Sequence, residues 1–323
     1  MARWQDDHAV FDRPRKRTRP RTKDRPDYSD APEALVASID RGRYRCLLDD
    51  HTAVTATKAR VLGRKGVIVG DRVKLDGDVS GTDGTLARIV EVAERRTWLR
   101  RSADDADTFE RPIVANADQL MIVTALADPE PRMGMIDRIL VAAYDAHVSP
   151  ILCLTKADLA SPEDLRDAYA PLDIPIVVTR PGCDLSPVRK LLEHHTTVLI
   201  GHSGVGKSTL VNELVPGTGR TTGAVSDVTG KGRHTSTSAA AIALPGDGWI
   251  IDTPGVRSFG ISHVRTEAFV GAFPDLEELV ANCPRGCRHD SSAPECALDE
   301  AVRTGSLGAE RLLSFRRMER AFA

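Results

Sequence analysis

The order of three short motifs constrains the fold of this chain more than any other feature. Gly201-His202-Ser203-Gly204-Val205-Gly206-Lys207-Ser208-Thr209 follows the apolar run Thr197–Ile200 and opens a helical stretch, the strand, glycine-rich turn and helix that a P-loop requires. Its glycines let backbone N–H groups converge on phosphate oxygens, and the helix N-terminus adds partial positive charge. Lys207 then reaches the β and γ phosphates and the Ser208 hydroxyl ligates Mg²⁺. Upstream, Thr155-Lys156-Ala157-Asp158 follows the apolar run Ile151–Leu154 and has the form of a guanine-reading motif. Asp158 accepts from guanine N1–H and the exocyclic amine, which adenine does not offer, and Lys156 lies along the base. Downstream, Asp252-Thr253-Pro254-Gly255 ends the run Trp249–Ile251, placing Asp252 to hold Mg²⁺ through water and Gly255 to meet the γ-phosphate. Thr179-Arg180, after Val177, supplies a backbone contact to the base. In ordinary GTPases the P-loop comes first. Here the guanine motif precedes it, so the sheet must be circularly permuted, with the usual termini joined between Thr179 and Thr197.

The surrounding texture divides the 323 residues into four expected parts. Residues 1–31 carry Arg13, Arg15, Lys16, Arg17, Arg19, Arg21, Lys23 and Arg25 among prolines, too polar to fold alone. This basic tail is a solvated arm or a nucleic-acid arm. Residues 32–105 read as an OB-like β-barrel with short runs at Tyr44–Leu48, Val61–Leu62, Val67–Val69, Asp71–Leu75 and Leu86–Val92, punctuated by glycine. Residues 106–270 alternate apolar strands with helices, the pattern of an α/β P-loop domain. Strands are expected at Gln119–Val123, Ile151–Leu154, Ile176–Val178, Val198–Ile200, Ala240–Leu244 and Trp249–Ile251. Helices are expected at Met135–Ala146, Pro162–Ala170, Pro187–His194 and Lys207–Leu214, with Ser161 and Ser186 as N-caps. Residues 271–323 form a small C-terminal α-helical module, with helices at Leu276–Ala281 and near Leu307–Phe322.

Of the six cysteines, Cys283, Cys287 and Cys296 cluster around His289. Three thiolates and an imidazole match a closed, structural zinc site, and in a cytosolic chain such clustering favours metal over disulfide. Removing the metal is expected to unfold this module, whose apolar residues are few. No apolar run approaches the ~18 residues of a membrane span, and the N-terminus lacks a secretory apolar core. A cytoplasmic, monomeric protein without membrane contact is the expectation.

Together with Ala115-Asn-Ala-Asp-Gln119, Gly232-Arg-His-Thr-Ser-Thr237, Asp252-Thr-Pro-Gly-Val-Arg257 and Phe273-Pro-Asp-Leu276, these motifs make the chain resemble the circularly permuted GTPase family of ribosome small subunit-dependent GTPase A. The resemblance covers nearly everything after Ala31. It implies an OB-fold, a permuted GTPase domain and a zinc-binding domain acting in late maturation of the 30S subunit, with the subunit and its 16S rRNA as partners, GTP and GDP as ligands and hydrolysis stimulated by the subunit. Two departures stand out. Thr155 occupies a position where Asn is commoner, which would weaken guanine selectivity. The zinc spacing, Cys-x3-Cys-x-His-x6-Cys, shifts one residue between the gaps.

Many GTPases follow the Asp-x-x-Gly segment with a glutamine that orients the attacking water, but valine occupies position 256 and has no polar group to do so. His234 is the candidate for orienting water, Thr235 for coordinating Mg²⁺, and Arg233 and Arg257 for charge neutralisation or RNA. RNA affinity is expected from the tail, from Arg41, Arg43 and Arg45, and from Arg311, Arg316, Arg317 and Arg320. Aromatics make up 4% of the chain, so stacking should contribute little beside phosphate contacts. The alternative is a nucleotide-dependent RNA-binding module without significant turnover.

Overall fold

The computed structural model describes residues 27–63, 66–102, 111–216, 239–253, 259–261, 264, 269–270 and 273–320. Residues 1–26, which hold every arginine and lysine of the expected basic tail, and His234, Thr235, Arg233, Gly255, Val256 and Arg257 lie outside them.

Five strands close a small barrel: β1 (Glu33–Asp40), β2 (Arg43–Leu48), β3 (Ala53–Lys58), β4 (Arg72–Gly77) and β5 (Ala87–Val92). They pair in the order β1-β2-β3-β5-β4 and back to β1, with β3 and β5 parallel, the partly open Greek-key arrangement of an OB-fold. Period-two alternation fills the interior: Val36, Cys46, Val54, Val73, Leu75 and Ile89 are buried, and the small Ala34, Ala56 and Ala87 let the strands converge. The expected runs at 61–62 and 67–69 are not strands. Arg60–Leu62 is a 3₁₀ turn. Val67–Val69 is a buried loop fixed by Asp71, whose carboxylate accepts from the Ile68 N–H at 2.8 Å and from Arg95 Nε at 2.7 Å.

Strands β6 (Trp98–Arg101) and β7 (Arg111–Ala115) form a two-stranded ribbon leading out of the barrel. The close approach of barrel and ribbon requires glycine at position 70, where φ is +89° and a Cβ would lie 2.0 Å from the Ala115 carbonyl oxygen.

The nucleotide-type sheet follows, in the order β10-β9-β8-β11-β13-β12, from β8 (Gln119–Ala125), β9 (Ser149–Thr155), β10 (Ile176–Val178), β11 (Thr196–Ile200), β12 (Ala240–Leu244) and β13 (Gly248–Asp252). All neighbours are parallel except the β12–β13 hairpin. The continuous apolar runs of β8, β9 and β11 follow from burial on both faces. Helices α1 (Met133–Asp145) and α2 (Glu163–Tyr169) cover one face; α3 (Ser186–Leu192) and α4 (Lys207–Leu214) cover the other. The chain runs outward from β8 through β9 to β10, returns to β11, and runs outward the other way to β13. That is the permutation expected from motif order. Neither expected N-cap acts as such: Ser186 is already the first residue of α3, with its N–H and hydroxyl donated to Asp184 at 2.9 Å and 2.6 Å, and Ser161 reaches the Glu163 N–H only at 3.4 Å.

The C-terminal module contains α5 (Pro274–Val280), α6 (Ala297–Thr304) and α7 (Ala309–Glu319). Its apolar residues are not few in effect, because they join the core beside α1. Phe269 stacks on Phe315 at 5.2 Å between centroids, and Phe273 meets Tyr144 and Phe269 edge-on at 5.1 Å. Three of the four arginines expected to meet RNA here, Arg311, Arg316 and Arg317, are bonded within the molecule, whereas Arg320 at the end of α7 is exposed. Arg317 pairs with the buried Asp137 at 3.0 Å and lies over the Tyr169 ring, Arg311 pairs with Asp275 and donates to the Pro171 carbonyl, and Arg316 grips Asp299 with both terminal guanidinium nitrogens. Burial pushes the Asp137 carboxyl above its usual range, with Arg317 and the Tyr169 hydroxyl opposing. Among the described residues no helix is long and apolar enough to cross a membrane.

Candidate functional site

Strands β8, β9, β10, β11 and β13 all end on one edge of the sheet, and chain order reverses between β8 and β11. In open α/β sheets ligands bind at this switch point, outside the carboxyl ends of the strands. The P-loop leaves β11 here. Gly201 packs so closely on β8 that a Cβ would lie 2.1 Å from the Val123 carbonyl oxygen, and Gly204 and Gly206 take φ of +84° and +93°. The turn therefore needs its glycines for packing and for the left-handed bends that precede α4. His202 and Ser203 form its outer rim, where His202 Nδ1 lies 2.8 Å from the Ser203 carbonyl oxygen.

Lys207 begins α4 and folds back under the loop. Its ammonium donates to the carbonyls of Gly201 at 2.7 Å and His202 at 2.8 Å. Burial lowers its pKa to about 8, because a desolvated ammonium is the costlier protonation state. Ser208 and Thr209 follow in the first turn of α4. Asp252 ends β13, directly opposite Leu199 of β11, and is 8% exposed. Its neighbour Thr253 donates to the Leu199 carbonyl at 2.7 Å, fixing the Asp252 segment against the P-loop strand.

The guanine-type motif sits beside this loop. Thr155, buried at the end of β9, donates its hydroxyl toward the carbonyls of Val205 at 2.5 Å and Thr124 at 3.2 Å. The position expected to weaken base recognition is thus a tie between the two loops, a task one hydroxyl performs with one proton. Lys156 takes φ of +58° and donates to the Asp128 carbonyl. The Ala157 N–H donates to the Thr179 carbonyl at 3.1 Å, and the Thr179 N–H to the Leu154 carbonyl at 2.8 Å, so the turn after β10 is laced to the motif. Asp158 is exposed at the rim. Replacing Thr155 with Val strands a buried carbonyl, at a cost of about 1–3 kcal/mol. The expected result is a lower unfolding temperature together with weaker nucleotide binding. Calorimetry and titration showing both unchanged would dismiss this tie.

One wall of the cleft escaped sequence reasoning. The turn after β8 brings Pro129, Glu130 and Arg132 alongside Gly201, His202 and Val205. Its only signal was the Asp128-Pro129-Glu130-Pro131 run after an apolar strand.

At the other end of the chain, the ligand atoms of Cys283, Cys287, His289 and Cys296 lie within 4.8 Å of one another. Cys283 Sγ is 3.5 Å from His289 Nδ1 and 4.0 Å from Cys296 Sγ, and Cys296 Sγ is 3.9 Å from His289 Nδ1. Such separations are the edges of a tetrahedron with metal–sulfur bonds of ~2.3 Å and metal–nitrogen bonds of ~2.0 Å, so the four residues fit zinc. The Ala297 N–H points at Cys283 Sγ from 3.3 Å, and Arg316 Nε holds the His289 carbonyl at 2.7 Å, outer contacts of the kind that orient metal ligands.

Comparisons with known proteins fall on the same features. The family model described as RsgA GTPase matches residues 92–262. A small ribosomal subunit biogenesis GTPase RsgA of Ectopseudomonas mendocina is 41% identical over 215 residues, 64% of this chain but only 62% of that protein's length. The protein of that name from Azotobacter vinelandii is 39% identical over 259 residues, 77% of this chain and 73% of its own. Among solved structures, YjeQ from Thermotoga maritima superposes with a TM-score of 0.67 at 25% identity, covering 90% of this chain and 97% of that one. YloQ, described as a circularly permuted GTPase, gives 0.65 at 23% identity over 92% and 96%, a likeness of fold. The family match covers the guanine-type motif, the P-loop and the Asp252 strand in their permuted order, and this chain belongs to the RsgA GTPase family.

Proposed function

We propose that this chain hydrolyses GTP during maturation of the small ribosomal subunit, binding that subunit and its rRNA and turning over when the subunit stimulates it. The observation that carries the reading is the bond from Thr155 to Val205, which holds a guanine-type motif against a P-loop. In this reading Asp158 and Lys156 recognise the base, with Ala157 and the Thr179-Arg180 turn behind them. The loop Gly201–Ser208 and Thr209 cradle the phosphates, with Lys207 at the β and γ positions. Ser208 and Thr235 hold Mg²⁺, Asp252 holds it through water, and Gly255 meets the γ-phosphate. Held there, Mg²⁺ would supply neutralisation of charge on the phosphoryl oxygens. Zinc on Cys283, Cys287, His289 and Cys296 is structural, since four protein ligands leave no open position. Free monomeric protein in the cytoplasm completes the proposal.

His234 orients the attacking water in place of the missing glutamine. His234→Ala is expected to leave GTP affinity nearly intact and to reduce subunit-stimulated turnover by about 10²-fold, the scale of a lost general-base or positioning group. Undiminished stimulated turnover removes the assignment. The second reading, an RNA-binding module without turnover, is favoured by Val256. Turnover measured alone, with 30S and with 50S subunits separates them: stimulation by 30S alone supports the proposal, and none by either supports the second.

A further inference from the structure

Among the described residues the barrel and the sheet pair edge to edge at Ser38 of β1 and Ala240 of β12. Within the barrel the β1–β2 pairing shifts register between Val36 and Ser38, and a groove of about 630 Å³ lies between the barrel and the β12–β13 hairpin. That is within the ~300–1,000 Å³ of small-ligand sites. From the barrel it is lined by Ala37, Arg45, Leu47 and His51, and from the β12–β13 hairpin by Ala243 and Trp249. His51 and Trp249 lie 6.1 Å apart between ring centroids, tilted by 42°.

This side carries both signs, with the exposed Asp40 opposite Arg43 on the β1–β2 ladder and Asp247 on the hairpin rim, and arginine predominates on β2. Arg43 and Arg45 project outward from β2, alternating with the inward Cys46, and Arg41 stands at the β1–β2 turn. All three are exposed, and no described contact gives any of them an acidic partner. Asp247, also at the groove, lies 3.6 Å from His194. Among the described barrel residues, these three stand together at the β1–β2 end without an acidic partner. An OB barrel presents its second and third strands to oligonucleotides, and a concave site with an aromatic floor beside a row of arginines matches single-stranded nucleic acid.

We propose that this groove seats one unpaired base of single-stranded RNA against Trp249, while Arg41, Arg43 and Arg45 follow the adjoining phosphates. The proposal rests on the RNA-binding part of the function proposed above, and it makes base stacking, rather than charge alone, a contributor.

The test uses the full chain and a labelled, unstructured ten-nucleotide RNA. Trp249→Ala should weaken binding about tenfold or more while leaving the salt dependence unchanged, and Trp249→Phe should restore most of the loss. Arg45→Ala should lower the salt slope by about one. Duplex RNA should respond to Arg45→Ala but not to Trp249→Ala. Should Trp249→Ala fold poorly, photocrosslinking of the unaltered protein to a 4-thiouridine-bearing version of the RNA gives the answer. Adducts at residues 45–51 or at Trp249 support the proposal. Adducts only elsewhere, or single-strand affinity within twofold of wild type in folded Trp249→Ala, overturn it. If 30S stimulates wild-type turnover while adducts fall elsewhere, the groove alone is refuted; if 30S does not stimulate, the parent reading fails whatever the adducts show.

Discussion

Lys207→Ala should abolish most nucleotide turnover, lowering kcat by about 10²–10³-fold, the scale for removing one preorganised donor aimed at developing charge. The expectation has two parts. The ammonium lies between the P-loop carbonyls of Gly201 and His202, so its removal leaves those carbonyls without their donor and takes away the cation proposed to meet the β and γ phosphates. The pH response of the unaltered protein checks the same group independently. With a pKa lowered to about 8 in the free protein, Lys207 is charged below that pH and neutral above it. Phosphate binds the charged form, so GTP affinity should be flat below pH 8 and fall by up to tenfold per unit above it. Titration at pH 7, 8, 9 and 10 measures this. Affinity level through pH 10, or a Lys207→Ala protein with wild-type turnover, would remove Lys207 from the site.

Stripping zinc should have the second large effect, but on a narrower region than composition suggests. Structural zinc sites carry apparent binding free energies of about 10–16 kcal/mol at neutral pH, far more than a loop with two turns supplies itself. The segment from Cys283 to Cys296, and α6 beyond it, should therefore lose protection from hydrogen exchange in chelator. Helix α7 should stay docked, because Phe315 is packed among Phe269 and Phe273 and Arg317 is paired with the buried Asp137. Cys283→Ser should reproduce the pattern. Protection kept throughout residues 283–304 in chelator refutes the zinc assignment, and simultaneous exchange of α7 refutes the independent docking.

The nucleotide sheet was legible because both its faces are buried. Runs such as Leu120–Val123 and Ile151–Leu154 stand out against any background, and each motif sits at the end of one. The barrel was harder. Its strands β1 and β3 escaped notice because a narrow interior takes small residues: Ala34, Ala56 and Ala87 are fully buried, and Ala-Val-Thr-Ala-Thr-Lys carries little hydrophobic contrast. Val67–Val69 misled for the opposite reason, since its burial comes from Asp71 and Arg95 fixing a loop rather than from a ladder. Helix α6 was hidden beside the cysteine cluster. The α7 arginines show the limit of reading charge by count, because a guanidinium that finds Asp137, Asp275 or Asp299 inside the fold is no longer available to a polyanion. Thr155 gave no sequence sign that its partner would be a carbonyl fifty residues away.

The permuted strand order also has a meaning in time. As the chain is made, β8, β9 and β10 with the turns proposed to face the base emerge first, and the P-loop follows only with β11, which must pair with β8 across a separation of 78 residues at Thr197 and Gln119. Non-local pairing of this kind is slow to form. A half-made chain therefore holds one side of the nucleotide pocket without the other, and the pocket first exists as a whole when the hairpin that carries Asp252 closes the sheet beside the barrel made before it.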